Sequence, residues 1–389
     1  MSGDNLRPRE YEVREDDGPV IEIEAESDGE EGELLALEEE EETTLESSSI
    51  SESESDEDST SISTRSCHKD TIEDVYENGR RYCNDTYFMP NDEAEQTRLN
   101  IAHQVYLIVL DGELTRVPVP RGRARILDIG TGPGDWAVEM GERYPDAEIV
   151  ATDISVFDIG PSSLGLPNVS FQLDDTEAEW TYHEPFDLIH LRSLSGAFRD
   201  WGSVYRQAFN HLKPGGYIEV IDADTAAGVI NFPDIRNSYF SILVAAMQSA
   251  AERTGFPRNQ DHLRPNLLTS IGFTAVRSTE ITIPVGVWPE DPRQKTLGKM
   301  ALISILEGLE AWSLRQLTDT GNWTAEEVRA LCDKVKGELV KATGMTAQVR
   351  ILTGRRPFAH DIRRGRTDDE MLEEALARLR MRERKRGER

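Results

Sequence analysis

Residues 125–136 constrain the fold of this chain more than any other stretch. A β-branched and aliphatic run leads there into three glycines with the spacing G-x-G-x-G, at Gly130, Gly132 and Gly134. This order predicts a strand, a tight turn and the start of a helix, because glycine adopts positive φ and lets a ligand approach main-chain N–H groups. Asp128 lies near the carboxyl end of that strand, where ligands bind in an open α/β sheet.

A second β-like run, residues 147–153, also ends in an acid, Asp153. A carboxylate at that position is placed to bind the two hydroxyls of a ribose. The dinucleotide fingerprint G-x-G-x-x-G requires glycine where this chain has Asp135, and the basic residue of a P-loop is absent. The pattern favours a nucleoside without a pyrophosphate, and S-adenosylmethionine fits it. The alternative is an ordinary β-α-β turn with incidental glycines.

Strand-like and helical segments alternate along the rest of the chain, which predicts a parallel sheet with helices on both faces. The further strands are expected at residues 168–173, 186–191, 217–222, 273–284 and 348–353. The helices are expected after Pro90 with Asp92 or Asn91 as N-cap, then at 199–212, 233–255 with Pro233 in its first turn, 264–271, 293–317 and 324–341, the last with Thr324 and Glu327 as a capping box.

Charge is distributed unevenly along the 389 residues. Of the net charge of −30, residues 1–70 carry a large share, with 25 acids and 5 bases. This arm has too few apolar residues for their burial to offset the entropy cost of ordering the chain. We therefore expect it to be disordered. It is either a solubilising tail or an arm that binds a protein partner and is phosphorylated, since serines followed by acids suit an acid-directed kinase.

Composition also excludes several classes of function. An acidic globular part argues against direct nucleic-acid binding, which requires a basic face. The sequence contains no apolar run long enough to span a bilayer and no signal-peptide pattern, so we expect no membrane association. The protein is expected inside the cell, in the cytoplasm, the nucleus or both.

Taken together, these motifs resemble the class I S-adenosylmethionine-dependent methyltransferases over residues 71–358. The motifs that carry the resemblance are the glycine turn with Asp128, the acid Asp153, Phe186-Asp187-Leu188-Ile189-His190 and Leu212-Lys213-Pro214-Gly215-Gly216. A narrower likeness is to the fungal LaeA-like methyltransferases, regulators of secondary metabolism. It rests on residues 76–82, 90–93 and 189–192, and on Asp174-Asp175 with Trp180.

The resemblance implies a Rossmann-like α/β fold with a mostly parallel seven-stranded sheet and helices on both faces. Its last strand is antiparallel and follows an inserted helical segment. The implied domains are an acidic arm at 1–70, a methyltransferase domain at 71–358 and a charged tail at 359–389. Within the domain, 71–120 is an N-terminal helical segment, 121–225 the cofactor-binding core and 226–358 the C-terminal part.

The resemblance also implies roles for residues at matching positions. Gly130, Gly132 and Gly134 line the methionine moiety of the cofactor, Asp153 binds its ribose, and Asp128 approaches its amino group or else has a loop or capping role. Either Asp174 or Asp175 takes the adenine amino group, while the other caps the next helix.

Catalysis is less constrained, because methyl transfer requires a base only when the acceptor must lose a proton. His190 is the candidate base by position, although a strand histidine is often a hydrogen-bonded structural residue. Tyr76, Arg81 and Tyr82 are candidates for a lid over the cofactor, or else they pack the N-terminal helix. Two functions remain open: methylation of an unidentified small molecule or protein side chain, and a regulatory protein that binds S-adenosylmethionine but acts through partners.

Overall fold

The computed structural model describes residues 74–157, 165–224, 238–358 and 360. The predicted acidic arm at 1–70, the predicted helix start at Pro233 and, apart from residue 360, the predicted tail at 359–389 lie outside the described residues. Within those ranges, no helix has both the length and the apolar composition that crossing a membrane requires.

The described ranges contain a two-stranded hairpin, a seven-stranded sheet and seven α-helices. The strands are β1 (Val75–Glu77), β2 (Arg80–Tyr82), β3 (Arg125–Ile129), β4 (Glu148–Asp153), β5 (Val169–Leu173), β6 (Phe186–Arg192), β7 (Leu212–Asp224), β8 (Thr274–Pro284) and β9 (Thr346–Arg355). The helices are α1 (Glu93–Val109), α2 (Asp135–Arg143), α3 (Trp201–His211), α4 (Tyr239–Thr254), α5 (Pro265–Ile271), α6 (Pro292–Thr318) and α7 (Ala325–Leu339).

The large sheet has the strand order β5-β4-β3-β6-β7-β9-β8. Strands β3 to β7 pair in parallel, whereas β9 lies between β7 and β8 and is antiparallel to both. The chain runs outward from β3 to β5 and then returns to β6, so a topological switch point lies between β3 and β6. The predicted fold class is confirmed, including the antiparallel last strand and the two helices, α6 and α7, that precede it.

Successive residues of a strand point to opposite faces of the sheet, so the apolar residues of a buried strand pack against helices on both faces. In β3, Ile126 packs in the cluster that contains α2, whereas Leu127 packs in the cluster that contains α3 and α5. A third cluster joins α1, α4, α6 and α7 to strands β7, β8 and β9. Residues of α1 and α6 from this third cluster also line a cavity at the carboxyl ends of the parallel strands.

A β-hairpin at residues 75–82 precedes α1, so the segment predicted as helical at 71–120 contains two short strands as well as a helix. Its turn is Asn78-Gly79, and both residues have positive φ, of 51° and 78°. An Asn-Gly pair is the preferred sequence for the type I′ turn of a two-residue hairpin, which explains the strand pairing. Arg315 on α6 holds this segment by donating to Glu77 Oε2 at 2.9 Å and to the carbonyl of Tyr87 at 2.9 Å.

Helix α1 begins at the N-cap Asp92, one of the two predicted residues. Its Oδ1 accepts a hydrogen bond from the N–H of Glu95 at 3.0 Å, and its carboxylate also accepts two bonds from Arg80 at 2.6 and 2.9 Å. Asn91 instead donates to the carbonyl of Val156 at 3.2 Å and so ties the start of α1 to the loop after β4.

The fifth strand of the core, β7, is longer than the predicted 217–222 and begins directly after α3, at Leu212. Gly216 explains the extension, since a Cβ there would lie 3.0 Å from the carbonyl oxygen of Phe186. Glycine thus lets the start of β7 approach β6 closely. The predicted capping box of Thr324 and Glu327 at the start of α7 is confirmed.

Candidate functional site

Two adjoining cavities lie at the carboxyl ends of the parallel strands. The main cavity has a volume of about 190 Å³ and reaches residues at the ends of β3, β4, β6 and β7. The side cavity has a volume of about 100 Å³ and lies at the ends of β4 and β5. Tyr87, Gly130, Asp153 and Leu194 line both cavities, so one elongated ligand can occupy the two together.

The glycine turn forms one wall of the main cavity. Gly130 and Gly132 have φ angles of 67° and 59° and line the cavity. A Cβ at Gly130 would lie 2.4 Å from Leu194, so a larger residue cannot fit without a shift of that side chain. Gly134, with φ of 92°, is the N-cap of α2 and lies outside both cavity linings.

Asp153 ends β4 and fastens the glycine turn to that strand. Its Oδ2 accepts a hydrogen bond from the N–H of Gly132 at 2.8 Å, and its Oδ1 accepts from the N–H and the hydroxyl of Ser155 at 2.9 and 2.8 Å. Burial raises the pKa of the Asp153 carboxyl. The structure therefore brings this predicted residue to the junction of the two cavities.

Asp174 and Asp175 are the first two residues after β5, and both line the side cavity. The N–H of Asp174 donates to the carbonyl of Asp153 at 2.9 Å, and its carboxylate accepts a hydrogen bond from the Tyr182 hydroxyl at 3.1 Å. Asp175 accepts from the N–H of Glu177 at 2.9 Å and so stabilises the following turn. Burial raises the pKa of Asp174.

Asp128, His190 and Glu219 form a row across the interior of the sheet. They are paired in register on β3, β6 and β7, and they are only 3%, 0% and 0% exposed. The Nδ1 of His190 donates to Asp128 Oδ1 at 2.8 Å, and the Trp136 ring stacks on the imidazole with centroids 3.8 Å apart. All three lie outside the linings of the two cavities.

Each member of this row has one polar atom without a hydrogen-bond partner among the described residues. These atoms are Asp128 Oδ2, His190 Nε2 and Glu219 Oε2. The other oxygen of Glu219 accepts from the N–H of Arg116 at 2.7 Å, and burial raises the pKa of its carboxyl. Sequence reasoning assigned no role to Glu219, although an acid inside an apolar strand was the available signal.

Arg192, at the end of β6, lines the main cavity and is oriented by His103 of α1. Its Nη2 donates to His103 Nδ1 at 3.0 Å, and His103 Nε2 lies 3.0 Å from Glu139. Since Nδ1 accepts, the proton of the neutral imidazole is on Nε2 and points to the carboxylate. Burial and the nearby Arg192 charge lower the pKa of His103, which agrees with the neutral ring.

The structure does not bring the predicted lid residues Tyr76 and Arg81 to the cavity. Tyr76 is 75% exposed on β1, and Arg81 donates to the carbonyl of Asn91 at 2.6 Å. A lid role for these residues stays a prediction. The residues that do line the main cavity come next in the chain, at 87–90, and sequence reasoning missed them.

Comparison with known proteins identifies the family of the chain. Residues 101–270 match a family described as a methyltransferase domain. The methyltransferase pytC of Aspergillus terreus is 36% identical over 271 residues, which cover 68% of this chain and 82% of that protein. The chain belongs to this methyltransferase family.

Two further relatives of this methyltransferase are fungal regulators by name. The secondary metabolism regulator LAE1 of Cochliobolus heterostrophus is 34% identical over 292 residues, covering 72% of this chain and 94% of that protein. The secondary metabolism regulator laeA of Aspergillus flavus is 31% identical over 288 residues, covering 72% and 75%. The predicted likeness to the LaeA-like methyltransferases is confirmed.

The cavities fit S-adenosylmethionine, the cofactor of this methyltransferase. Gly130 and Gly132 line the main cavity and have no side chain of their own to fill it. Each carboxylate oxygen can accept two hydrogen bonds, so Asp153 Oδ2, which accepts one from Gly132, has capacity for a hydroxyl donor. Oδ2 of Asp128, two residues before Gly130, is a further buried acceptor next to the turn and has no partner within the described part of the chain.

Proposed function

We propose that this methyltransferase transfers the methyl group of S-adenosylmethionine to a small molecule bound in the main cavity. In this proposal Gly130 and Gly132 border the methionine moiety, and Asp153 accepts hydrogen bonds from the ribose hydroxyls. The adenine occupies the side cavity, where Asp174 or Asp175 accepts from its amino group. The continuity of the two cavities at Gly130 and Asp153 supports this placement.

The part of the main cavity formed by α1, α6, β8 and β9 is the acceptor chamber of this proposal. Its apolar walls are interior side chains, each at most 8% exposed: Val105, Tyr106, Ile283, Ala301, Ile305, Ala347 and Val349. This burial is the observation that carries the proposal. A small apolar molecule can enter such a concave site, whereas a side chain on a protein surface would have to bring its backbone along.

The cofactor, when bound, supplies a methyl group on a sulfonium that is already a good leaving group. The protein's part is to align the acceptor atom with that methyl group and to exclude water. His190 acts in this proposal by holding the Asp128 carboxylate in one orientation. Its complete burial beneath Trp136 supports that role over proton transfer from the acceptor.

The proposal is tested by following a radiolabelled methyl group. The full chain is incubated with labelled S-adenosylmethionine and with a filamentous-fungus extract divided into an ultrafiltrate and a protein fraction. We expect label in organic-soluble small molecules from the ultrafiltrate. Ser304→Leu, which fills the chamber from α6, should abolish transfer and retain S-adenosylhomocysteine binding, while Thr296→Leu on an exposed position of α6 should change neither.

The contrary result is label in the protein fraction that survives Ser304→Leu. It would show that the acceptor is a protein group and that transfer occurs outside the chamber.

A regulatory role is the second candidate, and the names of two relatives as secondary metabolism regulators favour it. In that role the chain binds S-adenosylmethionine and acts through a protein partner bound by the acidic arm at residues 1–70. Deletion of the arm separates the two functions. Unchanged methyl transfer with loss of a defined partner would support regulation through the arm, and loss of methyl transfer would contradict that division.

A further inference from the structure

We propose that the acceptor chamber binds a small apolar molecule that carries a carboxylate, and that Arg258 binds this carboxylate. The inference rests on the proposed function, because it names the substrate class of the same site.

Arg258 is held rigidly at the wall of the main cavity. It lies in the loop after α4, and its Nη1 donates to the carbonyl of Trp312 at 3.0 Å and to Gln316 Oε1 at 3.1 Å, both on α6. The guanidinium carbon is 5.0 Å from the centroid of the Phe88 ring. Within the described residues its hydrogen bonds use Nη1 alone, so Nε and Nη2 are available to a ligand.

The three arginines of the cavity lining differ in how their charge is balanced. Arg98 forms a bidentate ion pair with Glu95 at 2.8 and 2.5 Å. Arg192 donates to His103, and the acids of α2 behind that histidine act on its charge. For Arg258, no carboxylate of the described chain lies within ion-pair distance.

Asp222, at the end of β7, is the acid of the main cavity whose charge acts on Arg258, but its carboxylate contacts His262. The Nδ1 of His262 lies 3.0 Å from the carbonyl of Asn259, which can only accept, so Nδ1 carries a proton. Nε2 of the same ring lies 3.3 Å from Asp222 Oδ2. Asp222 thus has its polar partner in His262 and forms no ion pair with Arg258.

A buried cation without a counter-charge is costly, and a ligand carboxylate removes that cost. Burial lowers the pKa of Arg258 to about 10, so the guanidinium is still charged at neutral pH. Its planar fork matches a carboxylate, which can bind two of its N–H groups in parallel. The apolar walls at Ile283 and Val349 then receive the rest of the molecule.

The test compares two probes of the same shape, the anion 2-naphthoate and the neutral amide 2-naphthamide. Each is titrated by calorimetry into the full chain saturated with S-adenosylhomocysteine. We expect 2-naphthoate to bind about tenfold more tightly or better, as a charge-assisted hydrogen bond implies. Equal affinity for the two probes, or binding of neither, would overturn the proposal.

Variants assign the preference to one residue. Arg258→Gln should remove the preference for 2-naphthoate, and Arg258→Lys should retain part of it. Arg264→Gln, which removes the same charge from an exposed pair with Asp261, should leave the preference intact. A preference that survives in folded Arg258→Gln would overturn the proposal.

A titration of S-adenosylhomocysteine into the same proteins keeps the two proposals apart. Arg258→Gln should bind it with wild-type affinity. A loss of that affinity in Arg258→Gln would show that the guanidinium binds the cofactor's own carboxylate, and it would overturn the acceptor assignment alone. Failure of the wild type to bind S-adenosylhomocysteine would contradict the proposed function instead.

Discussion

Glu219 carries its carboxyl group in the interior of the sheet. One oxygen accepts from the N–H of Arg116, and the other has no hydrogen-bond partner by geometry among the residues that the structure describes. Burial raises its pKa above the usual value of 4.5. The folded protein therefore keeps this proton at pH values where the unfolded chain has released it. The stability that protonated Glu219 provides is complete below pH 4.5 and is lost as the pH rises through the folded pKa.

Glu219→Gln should consequently become more stable relative to the wild type as the pH rises across that window, because glutamine does not titrate. The measurement is the free energy of unfolding in urea at a series of pH values. Glu142→Gln, on an exposed position of α2, is the matched control and should show no such trend. A stability difference for Glu219→Gln that does not vary with pH would contradict the account of a buried, protonated carboxyl.

His190 lies between Asp128 and Glu219, and its removal leaves the Asp128 carboxylate buried without its donor. His190→Leu should therefore cost about 3 kcal/mol or more of unfolding free energy, the scale for breaking one partner of a buried pair. Urea unfolding measures the cost, and His183→Leu on an exposed position is the control. Wild-type stability with a complete loss of methyl transfer would instead support the catalytic base predicted from sequence.

The β1–β2 hairpin and the segment after it are held in place by one side chain of α6. Arg315 is only 3% exposed, and it donates to Glu77 on β1 and to the carbonyls of Asn84 and Tyr87. One side chain of α6 thereby fixes the backbone that leads into residues 87–90 of the cavity wall.

Arg315→Gln should loosen this wall while leaving the sheet intact. We expect faster amide exchange in residues 75–90 and an affinity for S-adenosylhomocysteine that falls by about tenfold, since several hydrogen bonds to a charged group are lost. Arg293→Gln, which removes an exposed ion pair with Asp111 from the same helix, is the control. Unchanged exchange and affinity in Arg315→Gln would show that the hairpin is held by other contacts.

At the scale of the whole molecule, sequence was a good guide wherever local pattern decides structure. The alternation of strands and helices predicted the sheet, and Asp153 could be placed because a residue at the end of a parallel strand has only one edge to occupy. Arg258 and His262 could not be found in this way. Their roles depend on how a loop after α4 packs against α6 and β7, and neither residue has a distinctive neighbour in the sequence.

The same limit explains the lid. The aromatic and basic residues at 76–82 indicated a functional segment, but the turn at Asn78-Gly79 directs Tyr76 to solvent. The residues that do reach the cavity, 87–90, follow that segment, and their backbone is held by Arg315, more than two hundred residues away in the chain. Tertiary contacts of this range leave no local pattern to read.

The position of the cofactor is tested by a calorimetric titration of S-adenosylhomocysteine into the full chain and into Asp153→Ala. We predict binding to the wild type and an affinity weaker by about 1.5–3 kcal/mol in the variant, because hydrogen bonds to a buried carboxylate are lost. Asp146→Ala, on an exposed position, should bind as the wild type does. Wild-type affinity in a folded Asp153→Ala protein would contradict the placement of the cofactor at the junction of the two cavities.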